Sequence, residues 1–182
     1  MTVVALRNRL NETDVRRLVR GETVEDRALA ARKICHRIDT ASLTDVERAA
    51  AHDILELIAR DAAELVRRAL AVTLRQSPNL PHDLAVRLAA DVDSVASPVL
   101  LSSPMLTDAD LIEVLRTASS AKLCAVAARD QVSAIIVHEI LDSKDEKAVG
   151  IAASNDGADF DEAGYQRAFG EFCESQPVMD AF

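Results

Sequence analysis

The sequence predicts an all-α fold, a right-handed stack of short antiparallel helix pairs forming an α-solenoid, and three observations predict it. Alanine and leucine dominate, while the 182 residues hold only five glycines, five prolines and no tryptophan, a composition that favours helix over sheet. Two similar stretches follow one another, RRALAVTLRQSPNLPHDLAVRL from Arg67 and SVASPVLLSSPMLTDADLIEVL from Ser94. Each reads as a short apolar helix, a Ser-Pro break and a second apolar helix. The breaks fall at Ser77-Pro78 and Ser103-Pro104, a period of 26 residues, and such a period suggests units that bury their apolar faces only against neighbours. Finally, helix-capping signals precede most of the apolar-periodic runs.

Taken in order, the chain begins with arginines: Arg7, Arg9, Arg16, Arg17 and Arg20 are opposed only by Glu12 and Asp14. Thr13 is expected to cap a short helix that Gly21 ends. This run reads as a docking arm or, more simply, as a solvated helix face. Thr23, with Asp26 at the third helical position, opens a second helix. Its inward face is Ala31, Ile34, Cys35 and Ile38 by i, i+3, i+4, i+7 spacing. Thr44-Asp45-Val46-Glu47 is a capping box for a third helix. There Val46, Ala50, Ile54 and Leu57 are the expected buried stripe, with His52 and Glu56 paired on the opposite side.

From Asp61 the pairs take over. Val66, Ala69, Leu70, Thr73 and Leu74 mark one helix, and Leu84, Ala85 and Leu88 the inward face of the next, which Pro81 introduces. Pro98 lies inside an apolar pattern, so that helix either starts near Ser97 or is kinked. Thr107 and Asp110 open another helix, and Leu106 and Leu111 can staple its start. The period continues through Asp130 and Asn155 at steps of 26 and 25. Val132, Ile135, Ile136 and Ile140 give the intervening helix an apolar face. All five aromatics, Phe160, Tyr165, Phe169, Phe172 and Phe182, fall at the end. Tyr165, Phe169, Phe172 and Cys173 have core-stripe spacing. They either cap the stack or form a surface that pairs with another copy. In all, about nine or ten helices are expected. They form one domain over 1–182, with N-terminal helices at 1–60, a repeat core at 61–159 and an aromatic cap at 160–182.

Charge is uneven. The net charge is −9, but residues 1–87 carry 15 basic against 13 acidic side chains, and residues 88–182 carry 6 against 17. The acidic balance disfavours nucleic acid. No apolar run is long enough to span a membrane, and the N-terminus lacks a secretory pattern, so a cytoplasmic protein is expected. Cys35, Cys124 and Cys173 are odd in number and widely spaced; they read as buried free thiols rather than a disulfide or zinc set. The glycines are never clustered into a phosphate loop, and His36, His52, His82 and His138 sit on four separate helices. Asp108 and Asp110 suit a helix N-terminus better than a cation. Ser154-Asn155-Asp156-Gly157-Ala158-Asp159 lacks the order and distal Glu of a calcium loop and reads as a turn. No catalytic, cofactor or metal site is predicted.

The runs DAAELVRRALAVTL (61–74), SPNLP (77–81), LAVRLAADVDSVASPVL (84–100) and SPMLTDADLIEVL (103–115) resemble a bacterial family, domain of unknown function 2336. VAARDQVS (126–133) and SNDGAD (154–159) are similar to its downstream segments. The resemblance extends over about residues 5–175 and implies HEAT-like helical repeats. Members often run longer than this sequence. The resemblance implies no activity or catalytic residue. Arg129 and Asn155 fit polar positions at helix ends, expected to hold turn carbonyls.

The function expected is a non-enzymatic scaffold for a protein or peptide, regulatory in role. The alternatives are a nucleic-acid or small-ligand module, using the arginines Arg60, Arg67, Arg68, Arg75 and Arg87, and a structural protein that self-assembles, as a homodimer for instance, through Tyr165, Phe169 and Phe172.

Overall fold

The computed structural model describes residues 12–182. Among them are twelve helices and no strand: α1 (Glu12–Arg20), α2 (Val24–Asp39), α3 (Asp45–Ala59), α4 (Glu64–Leu74), α5 (His82–Ala89), α6 (Asp93–Ser102), α7 (Asp108–Leu115), α8 (Ser120–Ala127), α9 (Ala134–Asp142), α10 (Glu146–Ala153), α11 (Glu162–Glu171) and α12 (Gln176–Met179). This exceeds the nine or ten expected; α12, a single turn begun by Gln176-Pro177, left no periodic signal to find.

Alternate helices touch. Along one side α2 packs on α4, α4 on α6, α6 on α8, α8 on α10 and α10 on α12. Along the other, α3 meets α5, α7 meets α9 and α9 meets α11, while α1 lies on α2. Most of these helices have 8–11 residues, below the length at which an isolated helix holds in water. Each therefore depends on the face it buries. Ile34 and Ile38 of α2, Leu70 and Leu74 of α4, Leu84 and Leu88 of α5 and Leu100 of α6 are almost wholly buried. At roughly 1.5–3 kcal/mol for each fully buried aliphatic side chain, such faces offset much of the ordering entropy.

Local chemistry sets the ends. Thr23 Oγ1 accepts the Asp26 amide at 3.1 Å. Thr44 with Glu47, and Thr107 with Asp110, form complete capping boxes. Leu106 and Leu111 are both buried, as a staple requires. The Ser-Pro breaks have a mechanism. Ser77 Oγ accepts the Asn79 amide at 3.2 Å and Ser103 Oγ the Met105 amide at 3.3 Å. A proline after each serine disfavours helical backbone at the serine itself, and Ser103 is extended, with ψ 124°.

Several expectations need correction. Thr13 lies inside α1, so it does not cap it, although Gly21 N–H closes the helix on Arg17 O at 2.8 Å. Arg7 and Arg9 lie outside the described residues. In α3 the buried face is Glu47, Ala51, Leu55, Ile58 and Ala59, whereas Val46 and Leu57 are about half exposed. The stripe is rotated by one residue, because α3 packs on α4 and α5 rather than across the face first assumed. In α9, Ile136 and Ile140 are buried but Ile135 is exposed. α6 starts at Asp93, not near Ser97, and runs through Pro98, whose nitrogen has no proton to donate within the helix. Pro81 holds the N-cap position rather than the first turn of α5. Of the thiols Cys35 alone is buried, Cys124 is half-buried and Cys173 exposed.

The turn at 154–159 ties α10 back to α8. Asn155 Nδ2 donates to the carbonyls of Ala127 at 2.9 Å and Arg129 at 2.7 Å. Its Oδ1 accepts the Gly157 amide at 2.9 Å. Val132 then exchanges backbone bonds with Gly157 and Asp159, forming an isolated parallel bridge to Ala158. A Cβ on Gly157 would stand 2.0 Å from the Asp130 carbonyl oxygen, so only glycine allows this approach. Gly170, by contrast, has nothing within 4 Å of that position. Gly157→Ala should lower the thermal midpoint by several degrees, on the order of 2 kcal/mol. Gly170→Ala, inside α11, should leave it unchanged or raise it by up to about 1 kcal/mol. Differential scanning calorimetry on the two variants checks both signs.

Candidate interaction surface

The polar side chains divide into those consumed by the fold and those left facing solvent. The consumed ones bridge successive helices. Arg27 of α2 grips Asp61, before α4, at 3.0 Å, and Arg67 of α4 grips Asp91, before α6, at 2.6 Å. Both pairs are mostly buried and two-pronged. Arg67 also donates to the carbonyls of Asp61 and Ala62. Arg129 donates to the Leu100 carbonyl at 2.5 Å and the Ser103 carbonyl at 3.0 Å, closing the end of α6. Burial lowers its pKa, with Asp108 and Asp130 opposing. Asn79 does the same for α2, reaching the Ile38 carbonyl at 3.0 Å. Arg129 and Asn155 thus hold helix-end carbonyls, as expected from their positions.

Three of the four histidines have similar work, whereas His36 lies on α2 in the lining of a groove between α2 and α4. His52 of α3 pairs with Asp83 of α5 at 3.0 Å, not with Glu56, which pairs with Arg60. His82 of α5 pairs with Asp110 of α7 at 2.9 Å, and His138 of α9 with Asp161, the N-cap of α11, at 3.1 Å. Asp108 accepts from Ser133 at 2.6 Å, so both carboxylates at the start of α7 have neighbours to hold. Among the described residues no group of three or more His, Cys, Asp or Glu could hold a metal ion. Burial pushes the Cys35 thiol pKa well up, away from a reactive thiolate.

The five arginines singled out in the sequence do not come together. Arg67 is spent on Asp91 and Arg60 on Glu56. Arg87 is exposed on α5, in the other row. Arg68 and Arg75 remain, and they share one groove. It runs between α2 and α4, encloses about 890 Å³, and is lined by those two helices and the α4 C-cap alone. Leu29, Leu65 and Val72 line it and are 40–50% exposed. Arg32 and Lys33 of α2 join Arg68 and Arg75 in its lining, and Glu25 is the one acid there. Arg32 and Arg68 make no ion pair or side-chain hydrogen bond among the described residues, whereas Lys33 stands 4.0 Å from Asp14 and Arg75 donates to the Val72 carbonyl. Sequence reading missed Leu29, Leu65, Val72 and Arg32; the available signal was apolar residues lying off the core stripe of their own helices.

The aromatic end also differs from expectation. Phe172 is buried, but Tyr165 and Phe169 are more than two-fifths exposed. α11 instead buries the small residues Gly164 and Ala168, which bring it close to α9. Phe182 gathers the displaced rings: its centroid lies 5.2 Å from Phe160, 5.6 Å from Tyr165 and 5.1 Å from Phe169.

The described residues form an all-helical protein with one isolated bridge, and none of the described helices is long and apolar enough to cross a membrane. Residues 95–182 match the family described as "Uncharacterised protein conserved in bacteria (DUF2336)". The match is narrower than the resemblance drawn over residues 5–175: it begins at Val95 in α6 and leaves out the α2–α4 groove. No curated protein and no solved structure matches the chain.

The cross-helix ion pairs make acid the natural probe. The Arg67 guanidinium holds the Asp91 carboxyl below its usual range. Burial raises Asp61, but Arg27 and the Ala63 amide outweigh it. Arg167 and then Lys144 hold Glu171 down to about 2. Carboxyls with depressed folded pKa values stabilise fully above their unfolded values, about 3.9 for Asp and 4.3 for Glu, and lose that contribution as pH falls through the folded ones. The thermal midpoint should hold steady from pH 7 to about 5 and fall steeply below about 4. Arg67→Met should lower the midpoint at pH 7 and shallow its fall in acid. An equal acid fall in parent and variant would contradict the role given to Asp91.

Proposed function

We propose that the chain is a HEAT-like α-solenoid of right-handed, antiparallel helix pairs with a period of about 26 residues, and that it serves as a non-enzymatic scaffold binding a protein or peptide. The alternating helix contacts and the recurrent carbonyl clamps of Asn79, Arg129 and Asn155 support the solenoid. One observation carries the binding role. The α2–α4 groove offers apolar side chains to solvent beside the guanidinium groups of Arg32 and Arg68, which have no carboxylate partner among the described residues. An exposed apolar patch rimmed by polar groups is what a protein-binding site presents. His52, His82 and His138 and the carboxylates of Asp61 and Asp91 work instead between helices, which favours a scaffold over a catalyst. A cytoplasmic, regulatory setting fits this reading.

A second reading rests on the aromatic cluster. Phe160, Tyr165, Phe169 and Phe182 present rings where another copy could stack, and self-assembly would then run through this end.

Co-purification of the tagged chain at native abundance from its bacterium, followed by sizing and mass spectrometry, tests the scaffold. A stoichiometric hetero-complex heavier than the 19.7 kDa chain is expected. A chain recovered only by itself would contradict the reading, and a homodimer lost on Tyr165→Lys/Phe169→Lys would replace it with the second.

A further inference from the structure

Resting on the scaffold reading, we infer that the α2–α4 groove receives an amphipathic helix with acidic flanks, supplied by a protein partner. The chemistry of the groove selects this occupant. Leu65 and Val72 stand seven residues apart on α4, about 10 Å along its axis and two turns of a helix. Leu29 faces them from α2. An apolar strip of that length, walled by two helices, matches a partner helix that inserts residues at i, i+3 or i+4, and i+7. The described residues offer no sheet edge to which an extended peptide could add as a strand.

Charge settles the flanks. Arg32, Lys33, Arg68 and Arg75 face Glu25 as the only acid of the lining, and Arg32 and Arg68 lack any carboxylate partner among the described residues. Elsewhere in the fold an arginine beside a loop acid is consumed, as Arg27 and Arg67 are. Arg32 and Arg68 thus have valence to spare, as Arg87 and Arg116 do elsewhere among the described residues, but these two stand beside exposed apolar side chains in one groove. Glutamate or aspartate flanking the partner's apolar stripe would neutralise them and be steered in by the basic rim. A small amphiphile is less suited, because a groove walled by only two helices leaves much of such a ligand in water, whereas small-molecule pockets bury most of theirs. A membrane surface is also less suited: a bilayer takes up apolar groups that protrude, and these line a recess.

The test uses the full chain and a synthetic helical peptide with leucines at i, i+4 and i+7 and glutamates on both flanks. Fluorescence anisotropy compares it with a lysine-flanked peptide and with a scrambled peptide of the same composition. Micromolar binding of the acidic peptide is expected, at least about tenfold tighter than either control and weakened by salt. Leu65→Lys/Val72→Lys, at surface positions that should leave the thermal midpoint intact, should cost tenfold or more. Arg32→Glu/Arg68→Glu should turn the preference toward the lysine-flanked peptide, and Ile135→Lys, in the other row, should change nothing. Equal binding of all three peptides, or binding that survives both groove variants, would overturn the inference. So would a homodimer that Leu65→Lys/Val72→Lys dissolves, which makes the occupant a second copy. Groove-dependent binding to vesicles of phosphatidylcholine and phosphatidylglycerol, without peptide preference, would overturn it in favour of a lipid surface. If the co-purified partner persists on the Leu65→Lys/Val72→Lys chain, the scaffold stands and only the groove assignment falls.

Discussion

Short helices in water need neighbours, and this constraint organises the molecule. A helix of 8–11 residues leaves about four N–H and four C=O groups without an intrahelical partner, a large share of its backbone. Burial of one face supplies most of the missing stability, and side chains from the next helix along supply the rest by closing the ends. Asn79 closes α2, Arg129 closes α6 and Asn155 closes α8, each reaching 26–41 residues back along the chain. Helices are thereby joined in order, α2 to α4 to α6 and onward, and polar residues that might have formed a reactive cluster are distributed as fasteners.

That distribution explains how a sequence with four histidines and 30 acidic residues places no three or more His, Cys, Asp or Glu to hold a metal ion among its described residues. Each paired histidine meets an aspartate at or near the start of the next helix in its row, where the carboxylate also complements the helix dipole. What the fold leaves over is on the outside: an apolar groove with basic walls between α2 and α4, and a group of rings around Phe182. Only the second lies within the stretch that matches the uncharacterised bacterial family.

Much of this was legible in advance, and the failures are instructive. The Thr44 and Thr107 boxes, the Ser-Pro breaks and the inward faces of α2 and α5 follow from local rules that a sequence displays directly; of the residues that marked α4, Val66, Leu70 and Leu74 are buried but Ala69 and Thr73 line the groove. The face of α3 did not follow. Val46, Ile54 and Leu57 compete there with Leu55 and Ile58, and the two stripes differ by a rotation of about 100° that only the position of α4 and α5 decides. In α11 the large rings suggested a core stripe, yet Gly164 and Ala168 are buried because close approach to α9 requires small residues. Arg67 and Arg68 are adjacent and chemically identical; one is locked to Asp91 and the other lines the groove. The groove itself joins Leu29 to Leu65 and Val72 across two helices, a juxtaposition that no periodicity within either helix encodes.

The central claim is that stability passes from each helix to its immediate neighbours. Native-state hydrogen exchange on Val95→Ala, which removes about 2 kcal/mol of buried apolar contact from the middle of the chain, tests it most directly. Neighbour-to-neighbour support predicts faster exchange in α4, α5, α6 and α8, fading toward α2 and α12. An equal loss of protection in every helix would contradict it.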